Sequence, residues 1–79
     1  IEAAKFKQMG VRAGFPDLIL LIPNKFYPFC GIELKVKTGR QSESQKEYQK
    51  EFESIGAKYV IVRSLDEFIE VVTDYLKDV

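Results

Sequence analysis

A chain of 79 residues is enough for one domain, but it buries only ~60% of the surface its unfolded form exposes, so its core is marginal. A single cysteine and no histidine exclude an intramolecular disulfide, a zinc site of the usual ligand count and any Ser- or Cys-based triad that needs His. The 12 basic and 12 acidic side chains cancel, so net charge lends no support to nucleic-acid binding, and any metal has to be held by carboxylates, carbonyls and water.

In chain order, Glu2 to Met9 is compatible with a short helix whose apolar positions are Ala3, Ala4, Phe6 and Met9, ending before Gly10. Gly10 and Gly14 bracket a loop. Asp17 to Ile22 reads as a buried strand stopped by Pro23-Asn24, and Cys30 to Lys37 as a second strand. The aromatic connection Pro23 to Phe29 is long for a tight hairpin. Its Phe26, Tyr27 and Phe29 fit three roles: stacking on bases, packing on the core or packing on a second subunit. Thr38 to Gln41 forms a loop before a helix of Glu43 to Ile55, with Ser42 as N-cap, Gln45 three residues on and Tyr48, Phe52 and Ile55 as its apolar stripe. Lys58 to Arg63 is a third strand. Leu65 to Lys77 is a final helix with Ser64 and Glu67 in a second capping-box pattern and Leu65, Phe68, Ile69, Val72 and Leu76 on one side. Phe52, Tyr59 and Phe68 read as core. The whole of 1–79 reads as one domain, and because it opens on Ile1 rather than Met, the expectation is that an N-terminal segment is missing.

Alternation along the second strand sends Glu33 and Lys35 to one side and Ile32, Leu34 and Val36 to the other. If the Asp17 segment pairs with this strand, a second carboxylate joins them. Two acids beside an amine offer oxygen ligands for a hard divalent cation and suit phosphodiester hydrolysis. Glu33 and Lys35 also fit a plain surface ion pair, Asp17 a turn residue, and Gln45 the N3 member of the Ser42 capping box. Charge is unevenly spread: Lys5, Lys7, Arg12, Lys25, Lys35, Lys37 and Arg40 outnumber Glu2, Asp17 and Glu33 in the first half. Arg12, Lys37 and Arg40 are therefore candidate phosphate contacts, with solvated surface charge as the other reading.

Gly14-Phe15-Pro16-Asp17, then Ile32-Glu33-Leu34-Lys35, then Gly39, Ser42 and Gln45 resemble the VRR-NUC (virus-type replication-repair nuclease) family of PD-(D/E)XK nucleases. The run Ala4 to Gly14 resembles the small stand-alone members of phages and bacteria. This resemblance implies a restriction-endonuclease-like α/β fold, a mixed central sheet flanked by helices. It implies Asp17, Glu33 and the Leu34 carbonyl as ligands of Mg2+ or Mn2+, Lys35 beside the attacking water, and Gln45 near the metal or the DNA backbone. It further implies a homodimeric DNA endonuclease acting on structured or branched DNA, such as Holliday junctions, in replication, repair or recombination. Family members carry a further Glu on an N-terminal helix; Glu2 does not match its surroundings, so that residue is expected upstream of this sequence.

The rival expectations are a non-catalytic DNA-binding module, or a dimerisation module, on the same scaffold. No apolar run approaches the ~20 residues that cross a bilayer and no signal pattern opens the chain. The expectation is an intracellular, cytoplasmic protein, in the host cytoplasm if it is of phage origin, with no membrane contact and no small-molecule cofactor.

Overall fold

The structure, a computed structural model, describes residues 14–79 and the backbone of the strand 6–8. The elements run β1 (Phe6–Gln8), β2 (Leu18–Leu20), β3 (Cys30–Leu34), α1 (Glu43–Ser54), β4 (Lys58–Val62) and α2 (Leu65–Lys77). One four-stranded sheet takes the order β1-β2-β3-β4. The first two pairings are antiparallel and β3 with β4 is parallel. A parallel neighbour requires the chain to return to the same end of the sheet, and α1 is that crossover.

The sheet is mixed and flanked by helices, as expected, and strand alternation sorts its residues between two cores. Leu20, Cys30, Ile32 and Val62 pack with Val72 and Tyr75 of α2. Ile19 and Tyr59 pack with Tyr48 and Phe52 of α1. Gly31 lies on the α1 face, where a Cβ would come within 2.7 Å of Phe52 Cε2. The Phe52 ring therefore sits over bare backbone, edge-on to Phe29 and Tyr59 at centroid distances of 5.4 and 5.5 Å.

The expected helix over Glu2–Met9 is corrected in its described part, because Phe6–Gln8 is a strand paired with Leu18–Leu20. A helix that short is marginal in water, whereas the outer edge of β2 offers a row of backbone partners. Ala3, Ala4 and Met9 lie outside the described residues. The second strand ends at Leu34 rather than Lys37. Its partner β4 stops at Val62, and after Lys35 N–H bonds the Val62 carbonyl the chain turns, with Gly39 N–H on the Val36 carbonyl.

Both helices begin at the expected caps. Ser42 Oγ accepts from Gln45 N–H while the Gln45 side chain accepts from Ser42 N–H, a complete capping box. Ser64 Oγ accepts from Glu67 N–H, but the Glu67 carboxylate reaches past the cap to Arg63 N–H at 2.6 Å. The apolar stripe of α2 is rotated from the expected one. Phe68, Val71, Val72, Tyr75 and Leu76 face the sheet, whereas Leu65 is 72% and Ile69 53% exposed. Tyr75 completes that stripe because its hydroxyl, which has to be satisfied once buried, donates to the Ile22 carbonyl at 2.6 Å. Ile55, expected on the α1 stripe, is the exposed C-cap residue.

Of the aromatic connection, Tyr27 stacks on Tyr75 and Phe29 packs on Phe52. Phe26 stays exposed at 69%. Among the described residues no helix is long and apolar enough to cross a membrane.

Burial pushes the Cys30 thiol up to about 11, with Lys58 opposing, and pushes the Tyr75 hydroxyl up to about 12, with Cys30 adding to the effect. Both groups keep their protons longer folded than unfolded. Between pH ~9, the ordinary thiol value, and about 11, the unfolded chain binds fewer protons, so stability falls as pH rises. Urea denaturation from pH 8 to 11 is expected to show this fall, and Cys30→Ala to remove part of it. An identical slope in the variant would refute the assignment to Cys30.

Candidate active site

Asp17 immediately precedes β2 and Glu33 lies in β3. The register Leu18↔Ile32, continued by one residue, sets the two acids opposite each other. Asp17 Oδ2 accepts from Leu34 N–H at 2.7 Å, which ties the carboxylate to the end of β3. Thus Asp17, Glu33 and Leu34 converge at one end of the β2–β3 pair. Leu34 is half-exposed there.

Glu33 is fully buried, at 0% exposure, so the surface ion-pair reading does not describe it. Its Oε1 accepts from Tyr59 OH at 2.6 Å and from Gln41 Nε2 at 3.2 Å. Its Oε2 is buried and accepts no hydrogen bond among the described residues. The Lys35 ammonium approaches that oxygen, at 3.7 Å, from a largely buried side chain. An orphaned carboxylate oxygen in a protein interior is destabilising unless a cation or donor completes it. Burial foremost, and then the bond to Glu33, push the Tyr59 hydroxyl well above the usual tyrosine range. Tyr59 therefore stays a donor to Glu33 at any physiological pH.

Gln45 is engaged at the start of α1. Its Oε1 accepts from Ser42 N–H at 2.8 Å, satisfying one of the orphan donors that every helix start carries. The glutamine that does reach Glu33 is Gln41, whose amide nitrogen also donates to Gln49 Oε1 at 3.0 Å. Lys37 and Arg40 are exposed on the loop between β3 and α1. Arg63 holds that loop: its Nη1 donates to the carbonyls of Val36, Lys37 and Gly39 at 3.0, 3.4 and 2.6 Å. Arg12 lies outside the described residues.

Among the described residues no three His, Cys, Asp or Glu side chains gather around one point. Two carboxylates are what this site offers, the number Mg2+ commonly takes alongside water and phosphate oxygens. An apolar groove of about 350 Å3 lies beyond Lys35, lined by Leu18, Leu34, Val62, Leu65 and Phe68. Lys35 and Ser64 are the polar side chains of its otherwise apolar lining.

The VRR-NUC domain matches residues 1–66 of the chain. This chain belongs to the VRR-NUC family. A solved structure of a VRR_NUC domain protein is 38% identical, with a TM-score of 0.80 over 99% of this chain and 65% of that one. The chain thus spans 65% of the length of that relative. No curated protein matches. Family membership supports a nuclease-type function for this VRR-NUC domain.

Sequence reasoning missed two of the residues around Glu33. Tyr59 read as core, and it is buried at 7%, but a buried tyrosine needs a partner for its hydroxyl. Its place in a strand of the same sheet as Glu33 was the signal. Gln41 carried no local signal, because its approach to Glu33 depends on how the Arg63-bound loop turns.

Proposed function

We propose that this VRR-NUC domain is a metal-dependent DNA endonuclease, with Asp17, Glu33 and the carbonyl of Leu34 holding Mg2+ or Mn2+. The observation that carries this reading is the buried Oε2 of Glu33, which accepts no hydrogen bond among the described residues and has the Lys35 ammonium 3.7 Å away. A protein interior tolerates such an oxygen where a cation is to be received. Bound there, the metal would act as a Lewis acid towards the phosphodiester and lower the pKa of a coordinated water.

The chain's own residues supply the rest. Lys35, a compact cation, is placed to orient the water or to meet negative charge developing on the phosphoryl oxygens. Exposed Lys37 and Arg40, on the loop next to the site, are available to flanking phosphates. Water attacks phosphorus and gives up a proton to solvent, the bond to the leaving oxygen breaks and that oxygen takes up a proton, so the strand is cut into two pieces, one ending in a phosphate and the other in a hydroxyl. Structured or branched DNA is the favoured substrate, with a Holliday junction cut on opposing strands by two copies of the chain.

The test is cleavage of labelled four-way-junction, flap and linear duplex DNA in Mg2+ or Mn2+ by the protein and by Asp17→Ala and Lys35→Ala. Metal-dependent cleavage that both substitutions abolish is the expected result. DNA binding without cleavage in any metal, unchanged by Asp17→Ala, would replace this reading with a non-catalytic binding module. A stable monomer in sedimentation at micromolar concentration would remove the paired cut.

A further inference from the structure

The hydrogen bonds to the two carboxylates are unevenly shared between their oxygens. Tyr59 OH and Gln41 Nε2 both donate to Oε1 of Glu33, at 2.6 and 3.2 Å, leaving Oε2 without a hydrogen-bond donor among the described residues. Asp17 shows the same division, with its Oδ2 taken by Leu34 N–H at 2.7 Å. In each acid one oxygen is hydrogen-bonded by the protein, and the other oxygen of Glu33 has the Lys35 ammonium 3.7 Å away, too far for a strong hydrogen bond.

We propose that Tyr59 and Gln41 are positioning residues that reserve a single oxygen of Glu33 for the cation and so bias the site towards Mg2+ and Mn2+ and against Ca2+. The inference rests on the metal-site reading above. Ca2+ gathers 6–8 oxygens and readily takes both oxygens of one carboxylate, whereas Mg2+ is held by one or two carboxylates and completes its shell with water and phosphate. A glutamate whose Oε1 is held by two donors has to give up hydrogen bonds before it can offer both oxygens.

The geometry makes that holding stiff. Tyr59 is 7% exposed and its ring stands at 86° to that of Phe52, 5.5 Å away. Its hydroxyl therefore cannot follow a rotating carboxylate. Gln41 is tied on its far side, because the same amide nitrogen donates to Gln49 Oε1, and Gln49 Nε2 donates to Glu53 Oε2 at 3.2 Å. Helix α1 thus anchors the second donor. Partners that orient a metal ligand in this way typically contribute 10–100-fold to metal affinity, on the order of the effect expected here.

The experiment is direct metal titration without DNA. Mn2+ binding is followed by the electron paramagnetic resonance signal of the free ion, and Ca2+ binding by calorimetry. Wild type, Tyr59→Phe, Gln41→Ala and Asp17→Ala are compared, with metal-free melting temperatures alongside. Asp17→Ala is expected to lose Mn2+ binding. Tyr59→Phe is expected to weaken Mn2+ by about 10–100-fold while Ca2+ weakens less, so that the preference narrows; Gln41→Ala is expected to shift it the same way by a smaller factor. A merely structural role would lower both affinities together. If Tyr59→Phe melts early, Gln41→Ala, on a loop outside the core, carries the test. Wild-type affinity and preference in both variants, with Asp17→Ala still abolishing binding, would overturn the positioning role and leave the metal site standing. Unchanged Mn2+ binding in Asp17→Ala would overturn the metal reading beneath it.

Discussion

Glu33→Gln is expected to give a protein that melts higher than the wild type and does not cleave DNA. The side chain keeps its shape, and the amide oxygen can still accept from Tyr59 and Gln41 as Oε1 does now. What disappears is a carboxylate at 0% exposure whose second oxygen accepts no hydrogen bond among the described residues. Its nearest countercharge, Lys35, is at 3.7 Å, beyond the length of a strong charge-assisted hydrogen bond. Desolvation of an ion so loosely paired is expected to exceed the Coulombic return, and because Lys35 at 19% exposure still reaches water once its partner is neutral, the isostere is expected to stabilise by about 1 kcal/mol rather than to strand a buried charge. For a domain of this size each ~1 kcal/mol is about 4–8 °C in melting temperature. Activity is expected to fall by more than about 100-fold, since losing a ligand exceeds the cost of losing a ligand's partner. Metal-free thermal melts and cleavage assays on the same preparations decide it. A variant that melts lower would mean that Glu33 holds the fold together; one that cleaves within about tenfold of wild type would remove Glu33 from the site.

Gly14→Ala is expected to be the most damaging single-methyl addition outside the strands. Gly14 has φ +87°, and a Cβ there would meet the Ser44 carbonyl carbon at 2.5 Å and its oxygen at 2.6 Å. Main chain on the first turn of α1 cannot swing aside as a side-chain tip can. The left-handed backbone adds about 1–2 kcal/mol and the overpacking about 1–3 kcal/mol. The expected fall in melting temperature is at least about 10 °C. Gly56 provides the control, having φ +84° but nothing within 4 Å of the added atom. Gly56→Ala should show the dihedral penalty alone, about 1–2 kcal/mol. Equal losses in the two variants would show that the contact with Ser44 does not matter. Because Gly14 lies just ahead of Asp17, Mn2+ affinity is expected to drop in Gly14→Ala even below its melting point and to hold in Gly56→Ala.

The parts of the structure that were legible in the sequence are those set by short-range chemistry. Ser42 with Gln45 announced a helix start, and the structure has that capping box. Ser64 did the same for α2, and alternation around Ile32 sorted β3 correctly between its faces. Asp17 and Glu33 were found from the Asp and Glu-x-Lys motifs and meet because their strands pair. The failures have a common cause in long-range packing. Glu33 was read as a metal ligand or as a surface partner of Lys35, and its complete burial went unseen because it comes from α1, which covers that face from elsewhere in the chain. Phe6–Gln8 became a strand because β2 had an open edge, something no local pattern carries. Gln41 was not read at all, whereas Gln45, which fitted either the site or the Ser42 capping box, makes the capping box.

The two acids and the donors that flank them arrive by different routes in folding. Asp17 and Glu33 sit at the open end of an antiparallel pair of consecutive strands, a local hairpin of the sort that forms in about 1–10 μs. The bond from Tyr59 spans 26 residues and waits for α1 to cross over and lay β4 alongside β3, a slower, non-local pairing. During that interval two like charges face each other without Tyr59. On the proposed metal reading, divalent ions in the folding medium are therefore expected to change the folding rate as well as stability, screening the nascent hairpin before the hydroxyl docks.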